Sequence, residues 1–391
     1  MIEHVIIVHF HELSLKGKNR SWFEKTLLKN IKRHLIGLPY SNINRLSGRI
    51  IIGNIDFSLC DRYTRVLSDL IGIRNFILAS KVDLDIDQIK EEALKTIKLD
   101  TSKDTFRVSA RRQNKNFKLN SNEINQIVGE YIVKNTDYSV NLGSPDIDLI
   151  IEIVNETVFI GTKKINAFGG LPVGTGEKGL SLISSGIDSP VASFNLIKRG
   201  VELDYIHFHS SPATSRQSIY NVESILNELC RFQMDCKLFL FPLLEIQNII
   251  MDKIDSKYWV ILFRRAMVKI ANLLAIDNRY KVLVSGESVG QVASQTLSNI
   301  VAVDDASTIP IIRPLAGHNK EEIVSQAEQI STYEISIEPY QDCCSYFVPP
   351  NPETKSRLDR ILKLEDSLQL NEIIASYNQN IEIKEISFYE K

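Results

Sequence analysis

The feature that most constrains the fold is a regular alternation of apolar strands and helices from residue 178 onward. Continuous apolar strands that alternate with helices predict a parallel, doubly wound sheet with helices on both faces. Ligands bind such sheets outside the carboxyl ends of the strands, so the sequence predicts a site at that edge. The predicted strands are residues 179–183, 203–208, 237–241, 282–285 and 309–312, and the longest predicted helix spans 258–275.

Residues 1–165 follow a second pattern, which predicts two smaller domains of mixed helix and strand. The first, residues 1–58, is expected to contain a strand at 5–8, a helix from Asn19 to about His34, and a strand at 43–52. The second, residues 59–165, is expected to contain helices at 65–70, 87–97 and 121–134, the last capped by Ser121, and strands at 76–82, 105–110, 147–154 and 157–162. A Gly/Pro-rich linker at 166–177 leads into the last domain, 178–391.

The composition is typical of an ordinary globular protein. Of the 391 residues, 43% are hydrophobic and 24% are charged. No apolar run approaches the roughly 20 residues that span a bilayer. The N-terminus has no basic segment and no small-residue cleavage site, so no signal peptide is expected. Five cysteines without a CxxC pair are not typical of a secreted disulfide framework, and a cytoplasmic protein is therefore expected.

Two clusters of basic residues stand out against a net charge of only -2. One lies in the loop ahead of the first helix, and the other lies in the middle of the second domain beside Phe117. Basic residues with an interleaved aromatic side chain suit RNA phosphates and bases, but a charged run is also typical of a solvated surface. Charge alone leaves both interpretations open. The candidate RNA-binding residues are Lys16, Lys18, Arg20, Arg107, Arg111, Arg112, Lys115 and Lys118.

The predicted site begins where the first strand of the last domain ends, in the segment Ser184-Ser185-Gly186-Ile187-Asp188-Ser189-Pro190. A turn of small residues that enters a helix lets backbone amides approach a phosphate, and the helix dipole adds partial positive charge. Ser184 and Ser189 add hydroxyl donors. Asp188 repels phosphate, so it is expected either to cap the helix or to ligate a Mg²⁺ that bridges to the phosphates.

This segment resembles the SGGxDS loop of the PP-loop ATP pyrophosphatases, which cleave ATP to AMP and pyrophosphate. Ser185 stands where that loop has its first glycine, and its side chain is expected to crowd the phosphate or to shift the backbone. Further matches along nearly the whole chain resemble the 4-thiouridine synthetase family (ThiI), the tRNA uracil 4-sulfurtransferases. The matching stretches are residues 15–20, 114–117, 169–174, 186–192, 207–209, 286–296, 333–336, 342–344 and 347–349.

The resemblance implies an α/β multidomain protein: an N-terminal ferredoxin-like domain, a THUMP domain and a PP-loop ATP pyrophosphatase domain. The first two would hold tRNA and the third would hold ATP. Strand-end backbone groups suit an adenine edge, and Arg264 suits a phosphate. Phe208 is interpreted either as an apolar contact to adenine or as a core residue. The positions expected to bind ATP are Leu182, Ile183, Ser184, Gly186, Ser189, His207, Phe208, Arg264, Gly286 and Gln295.

The implied chemistry needs a sulfur nucleophile near the ATP site. Oxygen leaves uridine C4 badly, so adenylation of O4 would convert it into an AMP leaving group that a thiolate or persulfide displaces. The resemblance implies that Cys344 carries the persulfide, and Cys343 receives no role. Cys230 and Cys236 are predicted to be buried core thiols. His207 and His209 could face one metal, but no third ligand lies near them in sequence and no metal ligand is predicted there.

The resemblance also implies the partners of the protein. These are tRNA, with position 8 as the target, ATP with Mg²⁺, and a second copy of the chain in a homodimer. Some long family members carry a rhodanese domain that supplies sulfur and, in those members, serves thiamine synthesis. The sequence ends at Lys391 without one, so a separate cysteine desulfurase is expected to donate sulfur directly. Two alternatives stay open: another RNA-directed PP-loop thiolase, and a tRNA-binding protein whose PP-loop has decayed at Ser185.

Overall fold

The computed structural model describes residues 2–99, 104–115, 117–339, 347–377 and 381–388. The chain folds into two compact units, residues 1–172 and 173–391. Across these described ranges, none of the helices combines the length and apolar character that a membrane span requires.

The N-terminal unit is built on a mixed sheet, which among its described residues has nine strands in the order β2-β3-β1-β4-β8-β7-β5-β6, with β9 beside β4. Its strands are β1 Glu3–His9, β2 Asn42–Leu46, β3 Arg49–Gly53, β4 Asn75–Asp83, β5 Thr105–Arg112, β6 Ser139–Val140, β7 Ile147–Val154, β8 Thr157–Gly161 and β9 Lys164–Asn166. Its helices are α1 Arg20–His34, α2 Cys60–Asp69, α3 Ile86–Ile97 and α4 Ser121–Asn135, with short 3-10 turns at Glu12–Leu15, Gly17–Asn19 and Phe57–Leu59.

Two pairs of helices pack on one face of this sheet. Leu27 and Ile31 of α1 pack with Tyr63 and Leu67 of α2 in one core. A second core lies between α3, α4 and strands β5 and β7. A third cluster joins Val5 and Ile7 of β1 to residues of β7 and β8. The mixture of helices and strands predicted for residues 1–165 is therefore confirmed, and one continuous sheet runs through it.

Two local predictions in this unit are wrong. The single strand predicted at 43–52 is a hairpin, β2 and β3, because Ser47 and Gly48 adopt positive φ values of 46° and 82°. Two such residues form the tight turn whose twist suits a hairpin. Helix α4 is capped by Asn120, not Ser121. The side chain of Asn120 accepts from the amides of Asn122 and Glu123 at 2.9 and 3.0 Å, and the Glu123 carboxylate accepts from the Asn120 amide at 2.6 Å.

Two helix starts in this unit also differ from the prediction. Asn19 precedes α1 as predicted, but its side chain makes no capping hydrogen bond. Helix α2 begins at Cys60, five residues earlier than predicted, after Asp56 caps the preceding 3-10 turn.

The C-terminal unit is built on a sheet with strand order β14-β13-β10-β11-β12-β15. The strands are β10 Lys178–Leu182, β11 Glu202–His209, β12 Asp235–Pro242, β13 Val282–Val284, β14 Ile311–Ile312 and β15 Glu382–Ser387. The helices are α5 Asp188–Ile197, α6 Gln217–Gln233, α7 Leu244–Lys253, α8 Trp259–Asp277, α9 Leu297–Asp304, α10 Lys320–Gln329, α11 Tyr333–Ser336, α12 Leu358–Leu368 and α13 Leu370–Tyr377, with 3-10 turns at Ser256–Tyr258 and Ala293–Gln295.

Strands β10 to β14 of this sheet are parallel, as predicted. Strand β15 was not predicted. It pairs antiparallel with β12 at the sheet edge. It contains the charged residues Glu382, Lys384 and Glu385 and therefore lacks the continuous apolar run that identifies the other strands. From β10 the chain proceeds to β11 on one side, while β13 lies on the other. This reversal of strand order creates a crevice at the carboxyl end of β10.

Candidate active site

A cavity of about 440 Å³ opens at that crevice. It lies at the carboxyl ends of strands β10, β11, β13 and β14, where the sequence predicts a ligand site. Leu182 is the last residue of β10, and Ile183 and Ser184 follow it. His207 and Phe208 lie near the end of β11, and Arg264 extends from α8. The residues expected to bind ATP all line this cavity: Leu182, Ile183, Ser184, Gly186, Ser189, His207, Phe208, Arg264, Gly286 and Gln295.

The loop between β10 and α5 is held closed by its own serines. The Ser189 hydroxyl accepts from the Ser184 amide at 2.9 Å and donates to the Ser184 carbonyl at 3.1 Å. The Ser184 hydroxyl accepts from the Gly186 amide at 3.3 Å. These bonds fix a tight turn directly ahead of the α5 N-terminus. Backbone amides and the helix dipole there suit an anionic group.

Ser185 does not crowd the cavity as expected. It is fully buried beneath the loop and is not among the residues that line the cavity. Its hydroxyl is buried without a hydrogen-bond partner in the part of the chain that the structure describes. The serine at the first glycine position of the loop therefore points into the protein and leaves the phosphate approach open.

Gly286 allows the loop after β13 to approach α5. A Cβ atom at Gly286 would lie 2.7 Å from both N and Cα of Ser189 and 2.9 Å from the carbonyl carbon of Asp188. Contacts that short with backbone atoms require a shift of the chain. A side chain at 286 is thus excluded by packing, because two segments that line the cavity meet there.

The β11 residues are packed before any ligand binds. Nδ1 of His207 lies 3.0 Å from the Ile183 carbonyl, and Nε2 lies 3.4 Å from the Ser218 hydroxyl. Phe208 packs against Phe241 with ring centroids 5.7 Å apart, and it also lines the cavity. The two interpretations of Phe208 are therefore compatible, because the ring belongs to the core and borders the site.

His209, two residues along the same strand, is half-buried and does not line the cavity. Burial and then the neighbouring His207 and Arg216 lower the pKa of His209 to about 4. Among the described residues, no group of three or more His, Cys, Asp or Glu side chains could hold a metal ion.

Arg264 shares a buried carboxylate with a second arginine. Nη2 of Arg264 donates to Glu287, and Nε of Arg313 donates to the other carboxylate oxygen at 2.7 Å. Burial alone would raise the pKa of Glu287, but the charges of Arg264 and Arg313 hold that pKa below its ordinary value. The side-chain oxygen of Gln295, another lining residue, is buried without a partner among the described residues. It is available to a ligand that brings a donor.

Asp188 is the first residue of α5, and Ile187 holds the capping position before it. Of the two roles expected for Asp188, that of a helix cap is therefore wrong, and that of a Mg²⁺ ligand stays a prediction. One carboxylate oxygen accepts from Lys320 Nζ at 2.6 Å and the other accepts from Gln291 Nε2 at 2.9 Å. Both contacts come from segments distant in sequence, so Asp188 ties α10 and the loop after β13 to the cavity mouth.

Sequence reasoning gave no role to five residues of this site: Glu287, Gln291, Ser294, Arg313 and Lys320. Glu287 and Arg313 follow β13 and β14, so the rule that ligands bind at the carboxyl ends of parallel strands could have identified them. Glu287, Gln291 and Ser294 also lie in the stretch 286–296 that resembles the family. Lys320 lies in no such stretch, and only its contact with Asp188 reveals it.

The cysteine predictions divide in two. Cys343 and Cys344 lie outside the described residues. Cys230 and Cys236 are buried thiols, as predicted, with sulfur atoms 3.6 Å apart. The hydrogen bond to Cys230 and burial raise the pKa of the Cys236 thiol. A buried thiol is inaccessible to a substrate, so neither cysteine suits sulfur transfer.

The candidate RNA-binding residues lie in the N-terminal unit in two kinds of environment. Some are engaged within the protein. Arg107 binds Asp148 at 2.7 Å, Arg20 binds Glu24 at 2.7 Å, and Arg112 donates to the Phe117 carbonyl at 3.1 Å. Lys16 lies over the Phe23 ring at 4.9 Å. The exposed members are Lys18, Arg111, Lys115 and Lys118.

A parallel sheet with a small-residue loop entering a helix at its switch point defines a nucleotide-binding protein of the PP-loop class. Family models agree along the chain. The thiamine biosynthesis protein (ThiI) model matches residues 174–370, the THUMP domain model matches 84–163, and the ThiI ferredoxin-like domain model matches 5–76.

Similar proteins cover almost the whole chain. A probable tRNA sulfurtransferase of Listeria welshimeri is 39% identical over 96% of this chain and 94% of its own length. A probable tRNA sulfurtransferase of Thermoanaerobacter pseudethanolicus is 38% identical over 97% of this chain and 99% of its own length. The crystal structure of a 4-thiouridine synthetase–RNA complex with bound ATP superposes with a TM-score of 0.89 at 38% identity, covering 98% of this chain and all of that one (100%). The chain belongs to the ThiI family.

Proposed function

We propose that this protein is an ATP-dependent tRNA sulfurtransferase that converts a uridine, expected at position 8, into 4-thiouridine. The observation that carries the proposal is the cavity at the switch point, which every residue expected to bind ATP lines. Relatives named tRNA sulfurtransferase match over almost the whole chain, and the similar 4-thiouridine synthetase structure contains both RNA and ATP.

The adenine end of ATP would lie near β11 and the phosphate end near the loop between β10 and α5. The cavity volume of about 440 Å³ falls in the range of small-molecule sites. Phe208 and Leu182 offer apolar surface, and the unpaired oxygen of Gln295 offers an acceptor. The amides of the serine-closed loop and the guanidinium of Arg264 offer positive charge to phosphates.

Mg²⁺ would use Asp188. Magnesium is usually held by one or two carboxylates together with substrate phosphates and water. The carboxylate of Asp188 lies at the cavity mouth, where it contacts Lys320 and Gln291. It is therefore available to the ion if these contacts are exchanged. When bound, the ion would neutralise phosphate charge, while Lys320 and Arg264 supply positive charge from the chain itself.

The reaction would proceed in three steps. O4 of uridine attacks the α-phosphorus of ATP, pyrophosphate leaves and the N3 proton is lost, so that O4 carries AMP. The terminal sulfur of a persulfide then attacks C4, AMP leaves with the oxygen, and the uridine stays joined to the carrier cysteine through the S–S bond. A second thiol, such as that of the free cysteine in the assay, finally attacks the carrier sulfur; the S–S bond breaks with its electron pair on the sulfur at C4, N3 regains a proton to give 4-thiouridine, and the carrier is left in a disulfide that a further thiol reduces. We propose Cys344 as the persulfide carrier and a cysteine desulfurase as the donor that loads it.

The N-terminal unit would hold the tRNA, and the molecule would act in the cytoplasm as a homodimer. The exposed residues Lys18, Arg111, Lys115 and Lys118 would contact phosphates, with Arg20, Arg107, Arg112 and Lys16 shaping the same surfaces.

The test is the complete reaction in vitro. The full-length protein is incubated with cysteine, a cysteine desulfurase, ATP, Mg²⁺ and unmodified tRNA, and the nucleosides are analysed by mass spectrometry. We expect 4-thiouridine. Formation of 2-thiouridine would identify another RNA-directed thiolase. Absence of ATP–pyrophosphate exchange despite tRNA binding would identify a binding protein without catalysis.

Two variants assign the sulfur carrier. Cys344→Ser is expected to abolish thiolation while ATP–pyrophosphate exchange continues, because adenylation needs no thiol. Cys343→Ser is the matched control, since it changes the adjacent residue in the same way. Normal thiolation by Cys344→Ser would remove Cys344 from this role. Product formed only after a rhodanese protein is added would overturn direct donation by the desulfurase.

A further inference from the structure

Two neighbouring arginines of α8 each meet a buried carboxylate. Arg265 is 1% exposed, and its Nε and Nη2 donate to Glu365 at 2.8 and 2.9 Å in the core away from the cavity. Arg264 lines the cavity and donates to Glu287. The first pair lies wholly within the core. The second pair, Arg264 and Glu287, lies where the nucleotide would bind, so we ask what the Glu287 carboxylate does there.

Glu287 is 4% exposed and is bound on both oxygens. One oxygen accepts from Arg264, and the other accepts from Arg313 Nε at 2.7 Å and from the Ser285 hydroxyl at 3.0 Å. Arg313 is in turn held by both oxygens of Asp304, at 3.1 and 2.5 Å. The carboxylate of Glu287 is thus fixed by an anchored partner and has little rotational freedom.

Arg264 is held at two of its nitrogen atoms. Nη2 donates to Glu287, and Nη1 donates to the Ser294 hydroxyl at 2.9 Å. Its side chain remains 18% exposed at the cavity. A free arginine side chain has many rotamers, and about 2 kcal/mol of conformational entropy opposes its ordering on a ligand. These two contacts order Arg264 before any ligand arrives.

We propose that Glu287 is a positioning residue that orients Arg264 toward the phosphates of the nucleotide, with Arg313 and Asp304 as its anchor. The inference rests on the proposed function, because it requires a phosphate-bearing ligand in the cavity. In this proposal the Glu287 carboxylate favours phosphate binding because it orients Arg264, although its own negative charge repels the phosphate.

These two effects of Glu287 have opposite signs, so one substitution separates them. Glu287→Gln keeps the size of the side chain and removes one negative charge. By Coulomb attraction alone, the more positive cavity would bind ATP more tightly. If Arg264 loses its fixed orientation, the protein would bind ATP less tightly. The proposal requires the second effect to be larger.

The experiment measures dissociation constants of the full-length protein for ATP and for adenosine by calorimetry, together with ATP–pyrophosphate exchange. We expect Glu287→Gln to weaken ATP binding by about tenfold or more, as for a lost charge-assisted hydrogen bond, and to leave adenosine binding within about twofold. Glu365→Gln is the matched control. It damages the equivalent pair at Arg265 and is expected to lower the melting temperature without changing the ATP-to-adenosine affinity ratio.

A second variant tests the proposal even if Glu287→Gln fails to fold. Ser294→Ala releases the other nitrogen of Arg264 without changing a charge, and we expect it to weaken ATP binding by about two- to fivefold but not adenosine binding.

Unchanged or tighter ATP binding by Glu287→Gln would overturn the inference, and so would an equal loss for ATP and adenosine. If the wild-type protein binds no ATP, the proposed function itself fails, whereas a wild type that binds ATP beside an unaffected variant refutes only the role of Glu287.

Discussion

At the scale of single residues, the site depends on a position where no side chain fits. Gly286 brings the loop after β13 against the backbone of Ser189, and a methyl group there would overlap it at 2.7 Å. We expect Gly286→Ala to displace the start of α5, to raise the KM for ATP at least about tenfold, and to lower the free energy of unfolding by about 1–3 kcal/mol. Steady-state ATP–pyrophosphate exchange and chemical denaturation measure the two effects.

Gly317 provides the matched control. No atom lies within 4 Å of a Cβ built there, and its φ is not in the left-handed region. Gly317→Ala should leave the KM for ATP within about twofold of the wild type. If Gly286→Ala behaves in the same way as this control, the close approach of the two loops is not required for nucleotide binding.

Ser185 leads to the opposite expectation. Its hydroxyl is fully buried without a partner among the described residues, and it does not face the cavity. Ser185→Ala should therefore raise the free energy of unfolding by about 1 kcal/mol, because an unpaired buried hydroxyl is removed. ATP–pyrophosphate exchange should stay within about twofold. A larger loss of exchange activity would show that Ser185 takes part in the site. It would also support the alternative that the PP-loop has decayed at Ser185.

The candidate ATP residues could be predicted because they belong to one continuous loop or to short stretches that resemble a family, and all of them line one cavity. The ion pairs of the site could not be predicted, because their partners are distant in sequence. Lys320 reaches Asp188 across 132 positions, and Arg313 reaches Glu287 across 26. Only the folded sheet brings these charges together, and a single sequence contains no signal of that pairing.

At the scale of secondary structure, the parallel strands β10 to β13 were predictable because each is a buried apolar run between helices. Errors arose where local chemistry competes with the pattern. The Ser47-Gly48 turn interrupts a run of apolar residues, and the paired cap of Asn120 and Glu123 precedes the serine that looked like the helix start. Strand β15 forms because it pairs with β12, and its own charged sequence does not predict a strand.

A buried ion cluster connects three strands of the N-terminal unit and makes its stability depend on pH. Glu152 of β7 contacts His9 of β1 at 3.0 Å and Arg49 of β3 at 2.7 Å. Burial alone would raise the pKa of Glu152, but the hydrogen bonds and charges of His9 and Arg49 lower it from 4.5 to about 2. A lowered pKa contributes stability that is fully present above about pH 4.5 and is lost as the pH falls toward 2.

We expect the free energy of unfolding of the N-terminal unit to fall by about 2 kcal/mol through Glu152 between pH 6 and pH 3. Urea denaturation followed by Trp22 fluorescence, in a Trp259→Phe background, reports on this unit alone. Glu152→Gln should be less stable than the wild type at pH 6 and should lose about 2 kcal/mol less on acidification. Equal losses in both proteins would show that other groups cause the acid sensitivity.

At the scale of the whole molecule, a net charge of -2 conceals an uneven distribution of basic groups. Of the candidate RNA-binding residues, Arg107 already binds Asp148, which lies on the neighbouring strand. Lys118 is exposed. A cation that meets phosphate releases counterions from the RNA, whereas a cation that keeps its carboxylate partner releases few. Affinity for tRNA should therefore depend on salt through some of these residues and not through others.

We expect Lys118→Gln to reduce the slope of log K against log salt concentration by about 0.7–0.9 for tRNA binding, the value for one lost phosphate contact. Arg107→Gln should change this slope by less than about 0.3, although it removes the same charge, because its contact with Asp148 already compensates that charge. Fluorescence anisotropy with labelled tRNA from about 50 to 200 mM salt gives both slopes. Equal reductions would mean that Arg107 leaves Asp148 to reach the RNA. No reduction in either variant would place the RNA on another surface, since net charge alone cannot produce a localised, salt-sensitive contact.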